Sequence, residues 1–253
     1  MRGSGIGLRD IRAICLTHLD HDHFNGSWLR MAAHCGIKIF CHQKRVQALM
    51  GRVSDCISKK SRPRVTAELN QLVTGFDGVA FEAFAGLTLR PIRLENDAMG
   101  SHAFVIDGFG CRIGYATDLG HVPQQLVEHF DDVDVLALES NYDPQMQLQS
   151  ERPWFLKRRI MGGGGHLSNE QAFDAIRKIL NRCEARRRAL PDHIVLLHRS
   201  RKCNCPRVVR ALFHQDIRIA PRLTLAEQHR RSRWLRAVGR KRFIGEQLML
   251  AWG

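Results

Sequence analysis

The stretch Thr17-His18-Leu19-Asp20-His21-Asp22-His23-Phe24-Asn25-Gly26 packs five metal-capable side chains into six positions directly after the apolar run from Ile11 to Leu16. That run predicts a short buried strand. The cluster therefore falls on the loop where a parallel strand ends, which is where ligands bind in open α/β sheets. A solvated turn can hold one or two such residues. Three histidines and two aspartates this close would repel one another or titrate unless a cation organised them, so the segment is read as metal-binding.

Four later segments carry further candidates. Asp118 in Gly114-Tyr115-Ala116-Thr117-Asp118-Leu119-Gly120 follows another strand-like run, although taken alone it also fits an Asx turn or a helix cap. Glu139 stands at a strand end in Leu136-Ala137-Leu138-Glu139-Ser140-Asn141-Tyr142-Asp143. His166 in Gly165-His166-Leu167-Ser168-Asn169-Glu170 precedes a helix whose opening looks like a capping box. His198 ends the apolar run Ile194-Val195-Leu196-Leu197.

The first motif resembles the T-H-x-H-x-D-H-x-x-G signature of the metallo-β-lactamase-fold hydrolases. Thr17, His18, Asp22, His23 and Gly26 fall in register, and Asp20 stands where the signature has its second histidine. Asp remains a competent zinc ligand and suits harder ions such as manganese better. The resemblance runs over about residues 5 to 228 in order and spacing. It implies an α/β fold, the αββα sandwich of that family, holding one or two divalent metal ions, zinc or manganese. Asp118 matches the metal-bridging aspartate and His198 the last histidine ligand. Site one would comprise His18, Asp20, Asn96 and Asp118, and site two Asp22, His23, Asp118 and His198. Asn96 replaces the usual histidine, and an amide oxygen binds transition metals poorly, so site one is expected to be the weaker unless His21 or Asp97 takes over. His21 itself is read as exposed or as a neighbour of the ligands.

The motifs E-S-N-Y-D, L-K-R-R-I, G-H-L-S-N-E-Q-A and L-H-R-S-R-x-C-N look like the WalJ/YycJ-type branch of the superfamily, whose members are linked to exonuclease activity. The Glu139 and His166 pair is similar to the carboxylate and histidine of tRNase Z enzymes, which implies that Glu139 orients and His166 acts as general acid. Asp22, Glu139 and His166 are the residues assigned to the chemistry. The expected function is a metal-dependent phosphodiesterase or nuclease using a metal-activated water. The alternatives are a small-ester or thioester hydrolase of the same fold and a catalytically impaired nucleic-acid-binding protein.

Only about 16 residues precede the first motif, where the family normally has additional strands. The first strands of the sandwich are therefore expected to be missing, leaving an open sheet edge, or else a shorter natural form closes that edge by dimerising. The sequence leaves both open.

A chain of 253 residues with 44% hydrophobic content can bury one full α/β core. It is divided here into a hydrolase domain over 1–228 and a basic tail over 229–253. No run approaches the roughly 18 apolar residues of a membrane helix, so a cytoplasmic protein without a membrane partner is expected. The eight cysteines lack a C-x-x-C pair and read as reduced core thiols. The formal net charge of +14 favours a polyanion as partner, namely nucleic acid, and a homo-oligomer is a further possibility. Arg158, Arg159 and Arg201 are the candidate substrate contacts, because they lie near His166 and His198 in sequence, whereas the run Arg186 to Arg188 reads as a solvated face. Gly162 to Gly165 lacks the Lys-Ser/Thr of a phosphate loop and reads as a hinge for His166 or as plain slack.

Strands are expected near 11–16, 36–41, 79–84, 87–93, 103–107, 111–116, 133–139 and 193–198. Helices are expected near 26–35, 43–50, 66–73, 123–129, 169–188 and 206–214.

Overall fold

Alternating burial along the strands determines the layering. The structure, a computed structural model, describes residues 5–94 and 100–237. A parallel sheet of three strands has the order β1 (Ala13–Cys15), β2 (Lys38–His42), β3 (Val73–Phe76). A seven-stranded sheet contains β4 (Phe81–Phe84), β5 (Leu87–Leu94), β6 (Ser101–Gly108), β7 (Cys111–Ala116), β8 (Val135–Glu139), β9 (His193–Leu197) and β10 (Leu223–Leu225), in the spatial order β10-β9-β8-β7-β6-β5-β4. Its β7 to β10 half is parallel and its β4 to β7 half antiparallel.

On β2, Ile39 and Cys41 face one side and Phe40 the other; on β6, Ala103 and Val105 oppose Phe104 and Ile106. Period-two alternation of this kind buries both faces of both sheets. Phe40, Phe76, Leu89 and Phe104 fill the space between the sheets. Outside the small sheet lie α1 (Ser27–Cys35), α2 (Val46–Gly51), α3 (Val53–Cys56) and α4 (Arg62–Leu72). Outside the large one lie α5 (Gln124–His129), α8 (Asn169–Ala185) and α9 (Pro206–Phe213), while α6 (Pro144–Gln149) and α7 (Trp154–Met161) occupy the β8–α8 connection. The result is the four-layered αββα arrangement. Among the described residues β1 pairs with β2 alone, so it forms an edge of the small sheet.

Elements with strong periodicity appear close to their expected bounds. The expected helix at 66–73 instead begins at Arg62 and hands over to β3 at Val73, four strand residues that include Gly75 and carry little pattern. Unexpected α6 begins at Asp143, whose side chain accepts from the Met146 N–H at 2.9 Å, with Pro144 as its first residue.

The connections at the strand ends are held by buried polar side chains. Asn204 Nδ2 donates to the carbonyls of Ser140 and Asn141 and to Oδ1 of Asn169, each at 2.9 Å. Ser140 Oγ donates to the same Asn169 oxygen at 2.7 Å. Asn141 N donates to the Leu167 carbonyl and Asn169 N to that of Tyr142. Three loops, those after β8, before α8 and after β9, are thereby tied to one another.

The Gly-rich run is packed rather than slack. A Cβ on Gly120 would lie 1.8 Å from the Gly163 carbonyl oxygen, and one on Gly165 2.3 Å from that of Arg159, so backbone rests on backbone between the β7 loop and the end of α7.

The run Arg186 to Arg188 is only partly the solvated face expected from its composition. Asp131, 1% exposed, accepts from Arg182 and Arg186 and pairs with Arg188. A buried carboxylate needs such partners, and this one neutralises part of the basic excess.

Replacing Asn204 with Ala removes the donor to the buried Ser140 carbonyl and the acceptor of the Asn169 amide, while the Asn141 carbonyl keeps the Ser200 N–H. At about 1–3 kcal/mol for an unsatisfied buried group, the variant is expected to lose about 3 kcal/mol, measured by urea unfolding at constant m-value; a loss below about 0.5 kcal/mol would show that the network does not hold the loops.

Candidate metal centre

The β1–α1 loop and the ends of β7, β8 and β9 meet at one place. β7, β8 and β9 are adjacent and parallel, with Ala116 opposite Leu138 and Glu139 opposite Leu197. Asp118, Glu139 and His198 therefore emerge side by side at their carboxyl ends. Asp118 and His198 both take left-handed backbone angles, φ 56° and 51°. For residues other than glycine this is uncommon and costs on the order of 1 kcal/mol each, strain that the surrounding packing must offset.

Glu139 is fully buried. Its Oε1 accepts from Nδ1 of His166 at 2.7 Å and from Nδ1 of His198 at 2.9 Å, while Oε2 accepts from the Leu119 N–H at 2.8 Å. With both Nδ1 atoms donating to the carboxylate, both Nε2 atoms are left as the free ring nitrogens, the arrangement in which a carboxylate sets tautomer and orientation of a ligand or catalytic histidine. Asn141 Nδ2 donates to the His198 carbonyl at 2.7 Å and steadies the strained residue.

His198 Nε2 lies 3.3 Å from His23 Nε2 and 3.8 Å from Asp22 Oδ2, and His23 Nε2 lies 3.8 Å from the same Asp22 oxygen. Asp118 Oδ2 is buried and accepts no hydrogen bond; it stands 2.9 Å from His23 Nε2 without the alignment of one, and 4.0 Å from His18 Nε2. His18 Nδ1 faces Thr17 Oγ1 at 2.9 Å, and its Nε2 is 3.9 Å from Asp20 Oδ2. Candidate ligand atoms thus gather as three overlapping groups, namely Asp22, His23 and His198; His18, His23 and Asp118; and Asp118, Glu139, His166 and His198, each within 4.8 Å. Ligands bound tetrahedrally at zinc distances stand about 3.3 Å apart, so the nitrogen and carboxylate donors and the orphaned Asp118 oxygen fit a divalent cation.

The ionisable groups of the cluster act strongly on one another. Burial works to raise the Asp118 pKa, but His23, His198 and His18 bring it down to about 2. Burial works to lower that of His198, but the hydrogen bond to Glu139 and the charges of Asp118 and Asp22 raise it to about 9. The His18 pKa is lowered by burial and by His23.

Of the predicted residues, His18, Asp20, Asp22, His23, Asp118, Glu139, His166 and His198 come together. Asn96, with Asp97, lies outside the described residues. His21 projects into solvent, 99% exposed. Cys203 is buried against Tyr142 and Ile160, and none of the eight cysteines, all free thiols, enters a ligand group among the described residues. Arg158 and Arg159 are exposed near the end of α7, ahead of the glycine run that leads to His166, whose N–H donates to the Ile160 carbonyl at 3.0 Å. Arg201 is exposed with Nη1 3.2 Å from His229 Nε2. The supports Ser140, Asn141, Asn169 and Asn204 were not singled out from sequence, although they lie inside the same E-S-N-Y-D, L-S-N-E and C-N motifs; a small amide or hydroxyl repeated beside each site residue was the available signal.

No helix among the described residues is long and apolar enough to cross a membrane. The Beta-lactamase superfamily domain matches residues 2–194. The chain is 25% identical over 174 residues to the Exodeoxyribonuclease WalJ of Streptococcus pneumoniae, covering 68% of this chain and 61% of that protein. It is 22% identical over 210 residues to the Exodeoxyribonuclease YycJ of Bacillus anthracis, covering 83% and 72%. This chain thus spans less than two thirds of the WalJ relative's length. In three dimensions it is similar to the metallo-β-lactamase fold protein YhfI from Bacillus subtilis, with a TM-score of 0.59, 13% identity and coverage of 88% of this chain and 77% of that one. Zn(2+)-bound PqqB from Methylobacterium extorquens gives a TM-score of 0.56 at 18% identity, with coverage of 87% and 71%. With the family domain spanning most of the chain and the αββα layers in place, this protein belongs to the β-lactamase superfamily and has the metallo-β-lactamase fold.

Proposed function

We propose that the chain is a metal-dependent phosphodiesterase acting on nucleic acid, with exonuclease action as in the proteins it resembles. The observation that carries this reading is the Glu139 carboxylate holding two partly exposed histidines by Nδ1. Cleavage of a phosphodiester expels an alkoxide, which needs a proton. His166, partly exposed, offers its Nε2 for that transfer while Glu139 stabilises the charged ring. His198, Asp22, His23 and Asp118 would hold one cation, and His18 and Asp20 with Asp118 a second, weaker one. A bound zinc or manganese ion supplies Lewis acidity toward the phosphoryl oxygens and an activated water. The similarity to two exodeoxyribonucleases and the chain's +14 charge support nucleic acid as the substrate class.

Substituting His23 by Ala is expected to remove most bound metal from the purified protein, measured by elemental analysis. Unchanged metal content would rule out the ligand set. His166→Ala and Glu139→Gln separate the two roles. The first should lower kcat by about 100-fold or more with metal content retained, whereas the second should also weaken metal affinity about 10- to 100-fold, because His198 loses its orienting partner. Equal metal affinity in both variants would contradict the shared-carboxylate account. Replacing Arg158, Arg159 and Arg201 together by Ala should flatten the dependence of log affinity for DNA or RNA on log salt by about 0.7–0.9 for each phosphate that is no longer neutralised; an unchanged slope would place the polyanion elsewhere.

A further inference from the structure

The solvent face of α7 has a composition that the centre does not explain. Trp154 and Phe155 are 67% and 74% exposed, followed one turn later by exposed Arg158 and Arg159. Trp154 with Arg158, and Phe155 with Arg159, are i,i+4 pairs, so all four side chains share one face. Ile160, on the opposite face, packs with Tyr142 and Cys203. Large aromatics at a soluble surface are costly to hydrate, and two adjacent ones on an anchored helix mark a contact surface.

Charge identifies the occupant. Arg182, Arg186 and Arg188 surround Asp131, Arg112 is held by Asp107 and Asp132, and Arg218 by Asp216 and Glu184. Arg158 and Arg159 make no such pair among the described residues. This face therefore offers free guanidinium groups interleaved with aromatic rings, the combination that binds single-stranded nucleic acid by backbone charge and base stacking. An interfacial membrane helix would need a broad apolar face, which eight residues with two central arginines do not provide.

Position supports the same occupant. The arginines lie on the His166 side of the rings, with the rings about 6 Å further along the helix axis. The close contact of Gly120 with Gly163 and of Gly165 with the α7 carbonyls couples this helix to the loop bearing Asp118. We infer that α7 is a stacking platform for unpaired nucleotides, Trp154 and Phe155 taking bases while Arg158 and Arg159 hold the phosphates that lead toward His166. This rests on the nucleic-acid reading above and adds a preference for single strands or frayed ends, since bases in an intact duplex are unavailable for stacking on a protein ring.

The test uses the full metal-loaded chain with a phosphorothioate-linked oligothymidylate and, as comparison, a blunt duplex of the same length. W154A/F155A should weaken single-strand binding about ten-fold or more and leave the salt slope, the metal content and duplex affinity unchanged, and W154Y/F155Y should restore binding. R158A/R159A should reduce the salt slope instead. The platform is overturned if W154A/F155A binds the oligothymidylate like the parent, if strand and duplex lose affinity equally, or if sedimentation shows that the substitutions dissociate an oligomer without changing affinity, which would make this face an interface between copies of the chain. Failure of the parent to bind either probe at low salt would remove the nucleic-acid reading itself.

Discussion

A single buried carboxylate organises the functional end of this protein. Glu139, at the last position of a central parallel strand, is removed from water and accepts two backbone and two imidazole hydrogen bonds. An ionised carboxylate tolerates that depth only with such partners. Two histidines distant from each other in the chain are thereby fixed in tautomer and direction beside Asp118. Both rings meet the carboxylate at one atom, Oε1, so a change at Glu139 acts on both histidines together.

The centre is otherwise an unfavourable place for a chain to be. Asp118 and His198 occupy left-handed backbone angles, an aspartate oxygen is orphaned, and three histidine rings crowd within contact distance. What offsets this lies in the layers around it. The aliphatic cluster between the large sheet and α5, α8 and α9, together with the amides of Asn141, Asn169 and Asn204, holds the loops in place. Left-handed backbone at two of the converging residues, held by hydrogen-bonded loops, is the expected signature of a site prepared for a cation.

Net charge alone overstates how much positive surface is available to a polyanion. Several arginines are engaged by carboxylates inside the domain, most completely at Asp131. Those on α7 remain open beside two exposed aromatic rings, so the pairing pattern, rather than the count, shows where positive charge stays available among the described residues.

The local sequence determined a great deal. The crowded His and Asp loop could hardly persist without a cation, and the apolar runs ending in Asp118, Glu139 and His198 marked strand ends. Short elements with weak periodicity escaped: β3 and β10 are four and three residues long, and α7 turns its aromatics outward, which inverts the usual amphipathic signal. Only the tertiary structure decided that Glu139 serves both His166 and His198, that the four-glycine run is a close backbone contact, and that Arg186 and Arg188 converge on Asp131. Each of these depends on residues distant in the chain meeting at hydrogen-bond or contact range. Spacing along a sequence records strand and helix periods, but the register between neighbouring strands and the crossing of loops above them arise only when the layers pack.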